Sequence, residues 1–146
     1  MEKIKVKLLR EDAILPTYAT EASAGADLYA LPGTDCVIAP GETVLLHTGI
    51  AMEIPTGLVG LIYARSGLAS KKGIAPANKV GVIDPDYRGE IMVALHNHGS
   101  AAQTVLGSER IAQLVLTPYV SADWIVSDSL DDTDRGNGGF GSTGRK

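Results

Sequence analysis

Aromatic side chains, cysteine and long apolar runs are all scarce in this sequence. Only 5% of the 146 residues are aromatic, and the one Phe is Phe140, near the C-terminus. The one cysteine, Cys36, cannot form an internal disulfide, which suits a reducing compartment. No run approaches the roughly 18 apolar residues of a membrane-spanning helix, and the N-terminus lacks a secretory signal pattern. The sequence therefore predicts a cytoplasmic protein without a membrane anchor.

Positive charge is also in short supply. Thirteen Lys and Arg residues stand against 17 Asp and Glu residues, which gives a net charge of −4. A nucleic-acid polymer or an anionic membrane is a poor main partner for such a chain, because both attract basic surfaces. The balance favours a small ligand that is recognised locally.

Short apolar runs separated by turn residues fill most of the chain. Residues 3–8 alternate Lys with an aliphatic residue, which is the period of a half-buried strand, and β-branched runs follow at short spacing. Turn pairs such as Pro40-Gly41 lie between them. This pattern predicts an all-β sandwich or barrel in a single domain, residues 1–146. We expect one or two helical turns near residues 66–72, with Ser66 as the cap.

The composition changes after about Leu130. Residues 131–146 read DDTDRGNGGFGSTGRK and hold five of the 17 glycines, so we expect a mobile glycine-rich tail. Residues 136–143 nearly match the phosphate loop G-x-x-x-x-G-K-[ST]. Because no strand precedes them and no helix follows, a P-loop nucleotidase is excluded. Simple disorder and a phosphate-binding flap remain, with Arg135 contacting phosphates and Phe140 covering a flat base.

A second polar segment is ARSGLA, residues 64–69, which follows an apolar strand. The Arg65 guanidinium, the Ser66 hydroxyl and the Gly67 N–H would together form an anion site at a helix start. The same letters also occur at ordinary turns, and that alternative stays open here.

A third segment, NKVGVIDPDYRGEI, covers residues 78–91. Pro85 favours an extended Asp84, so that this carboxylate stands where an apolar strand meets a turn. Asp84 is either a general base or a solvated turn residue. Tyr87 is either a platform for a sugar or a ring that packs on the turn.

Two isolated polar residues interrupt apolar surroundings. Gln113 lies inside the run IAQLVL and must bond to backbone, to a ligand or to water. Asp27 is the only acid in residues 23–30 and is a candidate outer-sphere partner of Mg²⁺. His96 and His98 share one strand face without a third clustered ligand, so no metal site is expected there.

Five segments, taken in order, resemble the motifs of the trimeric deoxyuridine triphosphate nucleotidohydrolases, the dUTPases. They are AGADL, ARSGLA, GVIDPDYRGEI, ERIAQLV and RGNGGFGSTG, and the resemblance runs from about Ile4 to Gly144. It implies a distorted jelly-roll β-sandwich that forms a homotrimer, in which each active site draws on three chains and a glycine tail closes over it. It also implies Mg²⁺-assisted hydrolysis of dUTP to dUMP and pyrophosphate, which would limit uracil in DNA and supply dUMP for thymidylate synthesis.

The resemblance assigns roles to individual residues. Asp84 would orient and deprotonate the water that attacks the α-phosphorus, and Gln113 would assist near the α-phosphate. Asp27 would contact Mg²⁺ through water, while the substrate phosphates hold most of the ion. The predicted substrate contacts are the phosphate-binding Arg65, Ser66 and Gly67, the nucleoside-binding Asn78, Val82, Ile83, Asp84, Tyr87 and Met92, and the tail residues Arg135, Phe140, Gly141, Ser142 and Thr143.

Two alternatives remain. A dCTP deaminase shares the fold and parts of two motifs, but its catalytic glutamate would fall where this chain has Ala94. A dUTP-binding or signalling protein without turnover would need neither Asp84 nor the complete tail, and this chain has both.

Overall fold

The computed structural model describes residues 2–139, which form twelve short strands and one π-helical segment. All strand pairings are antiparallel. The predicted all-β class is therefore confirmed. The elements are β1 (Lys5–Leu8), β2 (Thr17–Tyr18), β3 (Ala26–Tyr29), β4 (Cys36–Ile38), β5 (Thr43–His47), β6 (Ile50–Glu53), β7 (Leu58–Tyr63), the π-helical segment (Leu68–Lys72), β8 (Ile74–Pro76), β9 (Gly81–Ile83), β10 (Met92–Asn97), β11 (Gln103–Val105) and β12 (Arg110–Pro118).

The strands make four small sheets around one core. The largest sheet has the order β2-β3-β12-β7-β9, and a second has the order β5-β10-β8. The pairs β1-β6 and β4-β11 close the remaining sides. Strands that are far apart in sequence are neighbours, as β3 and β12 are, and such crossovers are typical of jelly rolls.

Aliphatic side chains build the core. Strand β10 shows the alternation clearly, because Val93 and Leu95 are buried while Met92, Ala94 and His96 are only half-buried. No Tyr or Trp between residues 2 and 139 is fully buried. Each buried aliphatic side chain contributes about 1.5–3 kcal/mol, so the core needs no aromatic ring. Its largest fully buried members include Leu28, Ile38, Ile50, Ile74, Ile91, Leu95 and Ile111.

The predicted helical turn is present, but Ser66 is not its cap. The N-cap residue is Gly67, which has no side chain to donate or accept a hydrogen bond. The Ser66 carbonyl instead accepts a hydrogen bond from the Ser70 hydroxyl at 2.6 Å. At the other end Gly73 takes a left-handed conformation (φ +68°), and its N–H bonds back to the carbonyl of Ala69.

Beyond β12, residues 119–139 form neither helix nor strand. This stretch contains large apolar side chains that remain 84–97% exposed, namely Val120, Trp124, Ile125, Val126 and Leu130. Exposed apolar surface of this kind usually marks a contact with another molecule. No helix within residues 2–139 is long and apolar enough to cross a membrane.

Candidate active site

An open polar cleft lies where β3, β7 and β12 run side by side. Its volume is about 550 Å³. Residue Gln113 on β12 is opposite Asp27 on β3 and opposite Tyr63 on β7, two residues before Arg65. Strand pairing thus brings together residues that are far apart in sequence. Among the lining residues are Ser23, Gly25, Asp27, Arg65, Ser66, Gly67 and Gln113.

The Asp27 carboxylate lies between two guanidinium groups. Its Oδ1 accepts a hydrogen bond from Arg65 Nε at 2.7 Å, and its Oδ2 accepts one from Arg110 Nη1 at 3.1 Å. Asp27 is only 7% exposed. A carboxylate this buried requires charged partners, because desolvation otherwise penalises it by several kcal/mol. The cleft therefore contains a fixed triad of two positive charges and one negative charge.

Gln113 is fixed by the backbone of the neighbouring strand. Its Nε2 donates to the carbonyl of Ala64 at 2.8 Å. The side chain lies so close to Gly25 that a Cβ at Gly25 would overlap Gln113 Oε1. The amide nitrogen of Gln113 therefore has a backbone partner, and this bond immobilises the side chain immediately beside Arg65.

Ser66 and Gly67 are exposed at the edge of the same cleft. They follow Arg65 directly and precede the π-helical segment, whose first residue, Leu68, is buried. The N–H of Ala69 bonds to the carbonyl of Arg65 at 3.0 Å, which closes the turn. Phosphate oxygens would have access to both residues in this position.

The predicted nucleoside-binding hairpin lies on the outer edge of the large sheet. Strand β9 pairs on one side only, with β7. An edge strand presents backbone N–H and C=O groups outward, and these are free to bond a ligand. Val82 is 60% exposed and Asn78 is exposed, while Ile83 is half-buried.

The ring of Tyr87 is held at the end of this hairpin. Its hydroxyl donates to the carbonyl of Glu90 at 2.9 Å. The ring passes so close to Gly89 that an added Cβ would meet Tyr87 Cζ at 2.6 Å. The Glu90 carboxylate bonds His47 Nδ1 and the N–H of Gly49, each at 2.8 Å.

The pKa of Glu90 is lowered by these bonds. Burial acts in the opposite direction and would raise the pKa, but the hydrogen bonds from His47 and from the backbone of Gly49 and Thr48, with the charge of His47, outweigh it. Glu90 is therefore ionised at neutral pH. Its carboxylate is held by His47 and Gly49, and this fixes the Glu90 backbone carbonyl that accepts the hydrogen bond from Tyr87. Met92 follows at the start of β10, half-buried and opposite His47.

The structure does not bring Asp84 and Arg65 together within one chain. Ile83 on β9 is opposite Gly60 on β7, whereas Arg65 lies beyond the other end of β7, after Tyr63. Strands rise about 3.3 Å per residue, so more than about 13 Å separate the two residues along the sheet. A general base must reach the reacting centre directly or through one water. Within one chain, Asp84 and Arg65 therefore lie towards opposite ends of the β7–β9 pair.

The tail is described only in part. Arg135 is exposed in a turn, where the N–H of Gly136 bonds to the carbonyl of Thr133 at 2.9 Å. The predicted contacts Phe140, Gly141, Ser142 and Thr143 lie outside the described residues and stay predictions.

The carboxylates, histidines and cysteine of residues 2–139 provide no cluster of three or more that could hold a metal ion. Asp27 is the one acid in the lining of the cleft. A carboxylate offers about four lone-pair positions, of which the two arginines take two. Asp27 can thus still accept a hydrogen bond from water, which is compatible with contact to a hydrated ion.

Arg110, which contacts the cleft residue Asp27, was not predicted from the sequence. It belongs to the motif ERIAQLV but was given no role. The sequence feature that could have indicated its role is a charged residue at the start of an otherwise apolar strand, three positions before Gln113. In a regular strand, residues three apart point to opposite faces, so this spacing concealed the contact.

A family model described as dUTPase matches residues 11–144. A deoxyuridine 5'-triphosphate nucleotidohydrolase of Desulfitobacterium hafniense (strain DSM 10664 / DCB-2) is 50% identical over 145 residues, covering 97% of this chain and 96% of the relative. A protein of the same name from Nautilia profundicola is 49% identical over 143 residues, covering 98% and 99%.

A solved structure has the same fold over nearly the whole chain. It is that of the Staphylococcus bacteriophage 80alpha dUTPase G164S mutant with dUpNHpp, at 26% identity and a TM-score of 0.90. The match covers 99% of this chain and 100% of the phage chain.

Proposed function

Because this chain belongs to the dUTPase family, we propose that it hydrolyses dUTP to dUMP and pyrophosphate. The observation that carries the proposal is the cleft in which Arg65, Ser66, Gly67 and Gln113 meet beside a buried, doubly paired Asp27. A cleft with two guanidinium groups and exposed turn residues is suited to an anionic polyphosphate.

The proposed chemistry is attack of water on the α-phosphorus. Phosphoryl transfer depends on positioning and on charge neutralisation, and it needs no covalent nucleophile. Arg65, Ser66 and Gly67 bind phosphate oxygens, and Gln113 lies near the α-phosphate. Asp84 orients the water and accepts its proton. Its exposed position at the end of β9 leaves its carboxylate accessible to such a water.

Mg²⁺ is the proposed cofactor. When it is bound mainly by the substrate phosphates, it supplies further neutralisation of their charge. Asp27 would contact the hydrated ion through water, using the lone pairs that the two arginines leave free.

The uracil and sugar are proposed to bind at the β9 edge. Backbone groups of Val82 and Ile83 and the amide of Asn78 would bond the base as a pairing partner does. Tyr87 would pack under the deoxyribose and disfavour a 2′-hydroxyl, and the backbone of Met92 would contact the nucleoside. The free edge of β9 and the fixed ring of Tyr87 support these roles.

We propose that the enzyme is a homotrimer with shared sites. The separation of Asp84 from Arg65 along β7 and β9 supports a site that a second copy completes. An apolar groove of about 470 Å³, lined by residues that include Ile4, Val6, Leu15, Tyr18 and Leu116, offers a surface for the exposed apolar residues of a neighbour's 120–130 segment. The number three comes from the resemblance alone.

The C-terminal residues complete the proposed site. Arg135, Ser142 and Thr143 would bind the γ-phosphate and Phe140 would stack on uracil, with Gly141 between them. On this proposal residues 1–146 are one domain and about 131–146 form the active-site tail. In a cytoplasmic setting the reaction would remove dUTP before it enters DNA and would supply dUMP for thymidylate synthesis.

A pyrophosphate-release assay tests the reaction. The purified chain is given dUTP, dCTP or dTTP with and without Mg²⁺, and the nucleotide products are separated. We expect dUMP and pyrophosphate from dUTP only, at a higher rate with Mg²⁺. Ammonia release from dCTP would indicate a deaminase, and binding of dUTP without any product would indicate a binding protein; either result would reject the proposal.

A further inference from the structure

The strand β12 departs from regular geometry where it enters the cleft. Its register with β3 shifts between Arg110, which is opposite Tyr29, and Ala112, which is opposite Leu28. Ile111 is the extra residue of this β-bulge, and both Ile111 and Ala112 are completely buried. Bulges often lie next to active sites, where they redirect a side chain.

The bulge places Arg110 on the same face as Gln113. Without it, two residues three apart would point to opposite faces of the sheet. With it, Arg110 and Gln113 are opposite Tyr29 and Asp27, which share one face of β3. The Arg110 side chain therefore reaches Asp27 Oδ2.

Arg110 contacts Arg65 in two ways. Asp27 bridges the two guanidinium groups, and the Arg110 carbonyl accepts a weaker hydrogen bond from Arg65 Nη1 at 3.4 Å. Arg65 is thus fixed through Nε and Nη1, and Nη2 forms no hydrogen bond within residues 2–139. Arg65 Nη2 is the atom available to a phosphate.

Arg110 also decides the charge of the cleft. Asp27 paired with Arg65 alone would be neutral, whereas the triad with Arg110 carries a net charge of +1. The neighbouring acid Glu109 is paired with Lys72 Nζ at 2.9 Å and accepts a hydrogen bond from the N–H of Leu106 at 3.1 Å, so this ion pair adds no net charge beside the triad. The side chain of Arg110 is 48% exposed, so it is not held there as a core residue.

We infer that Arg110 is a positioning residue of the proposed reaction. The bulge turns the Arg110 side chain towards Asp27. There Arg110 neutralises Asp27 and holds the Arg65 guanidinium with Nη2 directed at the substrate phosphates. This role rests on the proposed function, because it concerns the orientation of that same phosphate site.

The test uses the full-length enzyme and the variants Arg110→Gln and Arg110→Lys. We expect Arg110→Gln to lower kcat/KM for dUTP by about 10- to 100-fold, the scale of one charge-assisted hydrogen bond, with a fall in kcat. Arg110→Lys restores the charge without the planar fork, so its kcat/KM should be intermediate. The melting temperature should stay close to that of the parent. The control is Arg10→Gln, which removes a surface ion pair with Asp12 and should change neither quantity.

Repeating the Arg110→Gln change in an enzyme that already lacks Arg65 shows whether Arg110 acts through Arg65 or contacts the substrate by itself. In the Asp27→Asn, Arg65→Gln enzyme, which has neither the guanidinium that Arg110 positions nor a buried carboxylate that needs a charged partner, the further change Arg110→Gln should lower kcat/KM by less than threefold. Equal losses in both backgrounds would overturn the inference, as would an unchanged kcat/KM in Arg110→Gln. A large fall in melting temperature for both Arg110 variants would show that the residue is structural and would also overturn it.

Binding of the non-hydrolysable analogue dUpNHpp distinguishes this inference from the proposed function. Titration calorimetry should show weaker binding to Arg110→Gln than to the parent enzyme. A parent enzyme that binds the analogue without any dUTP turnover would reject the proposed function and leave the Arg110 comparison measurable. Equal affinities of parent and Arg110→Gln, together with normal parent turnover, would reject the inference alone.

Discussion

Individual side chains of the proposed site differ in how much freedom the fold leaves them. Arg65 and Gln113 are fixed by bonds to Asp27 and to the Ala64 carbonyl. Asp84 is exposed at a turn, where its backbone carbonyl accepts a hydrogen bond from the N–H of Tyr87 at 3.1 Å. Groups that bind a phosphate benefit from such immobilisation, whereas a base that takes a proton from water must have its carboxylate free to reach that water.

Asp84 provides the first prediction. Asp84→Asn keeps the size and polarity of the side chain but removes its basicity, so kcat should fall by about 10²–10⁴, the usual range for a positioned base. Affinity for dUpNHpp should be nearly unchanged. Stopped-flow measurement of pyrophosphate release gives the rate, and calorimetry gives the affinity. Asp86→Asn, the same change two residues later in the same turn, is the control, and near-normal turnover by Asp84→Asn would contradict the role.

Gly89 provides a prediction about sugar selectivity. Gly89→Ala would force the Tyr87 ring to move, because the new Cβ would meet its Cζ at 2.6 Å. If that ring excludes a ribose 2′-hydroxyl, the ratio of kcat/KM for dUTP to that for UTP should fall, by about tenfold for each 1.4 kcal/mol of lost discrimination.

The companion variant for this test is Tyr87→Phe. It retains the ring and loses only the hydrogen bond to the Glu90 carbonyl, so it should reduce the ratio less than Gly89→Ala does. A ratio that is unchanged in Gly89→Ala would mean that the position of the ring does not determine the choice of sugar.

At the scale of strands and turns, pairing explains why some site residues could be predicted and others could not. The types of Asp27, Arg65 and Gln113 pointed to phosphate and metal chemistry, but only the pairing of β12 with both β3 and β7 brings them together. Pairing between distant strands leaves no mark in local periodicity. The bulge at Ile111 was hidden for the same reason, and with it the role of Arg110.

At the start of the π-helical segment, the sequence predicted a feature that the structure does not have. Ser66 has a residue type that favours an N-cap, yet the chain continues for one more residue and Gly67 takes that position. Local preference is weak where a tertiary contact decides the turn, and here Leu68 must enter the core. The all-β class was predictable because alternation over many short runs depends on no single residue.

The ion pair between Glu109 and Lys72 joins the π-helical segment to the loop before β12 and provides a prediction about acid stability. Burial alone would raise the pKa of Glu109, but the hydrogen bonds from Lys72 and the Leu106 N–H, with the charges of Lys72 and Arg65, lower it. A lowered pKa adds stability above the ordinary value of 4.5, and this stability is lost as the pH falls through the folded-state pKa. The free energy of unfolding should therefore decrease as the pH is lowered below about 4.5.

Urea unfolding between pH 3 and pH 7 measures this effect. Glu109→Gln should be less stable than the parent at pH 7, by up to about 1 kcal/mol for a pair with this much exposure, and the two should converge at pH 3. Glu21→Gln, at an exposed position, is the control. A constant difference between parent and Glu109→Gln at every pH would show that the charge of Glu109 does not contribute.

At the scale of the whole molecule, two apolar surfaces within residues 2–139 stand out because the core does not cover them. One is the apolar groove beside β1 and β2, and the other is the row of apolar side chains between Val120 and Leu130. Both belong to residues outside the polar cleft. The separation of Asp84 from Arg65 along β7 and β9 supports the proposed assembly on other grounds, because it concerns chemistry instead of apolar area.

Two truncations separate assembly from tail chemistry, and they provide the last prediction. A chain that ends at Asp134 lacks the predicted tail contacts but keeps the exposed apolar row. It should retain its melting temperature and a light-scattering mass near three times that of one truncated chain, while losing most of its dUTP turnover. A chain that ends at Pro118 lacks the apolar row as well and should lose the assembled mass. If the shorter chain stays assembled, the contacts between copies lie elsewhere on the sheets. If the chain ending at Asp134 unfolds at a much lower temperature, the tail belongs to the folded domain and its proposed role at the active site fails.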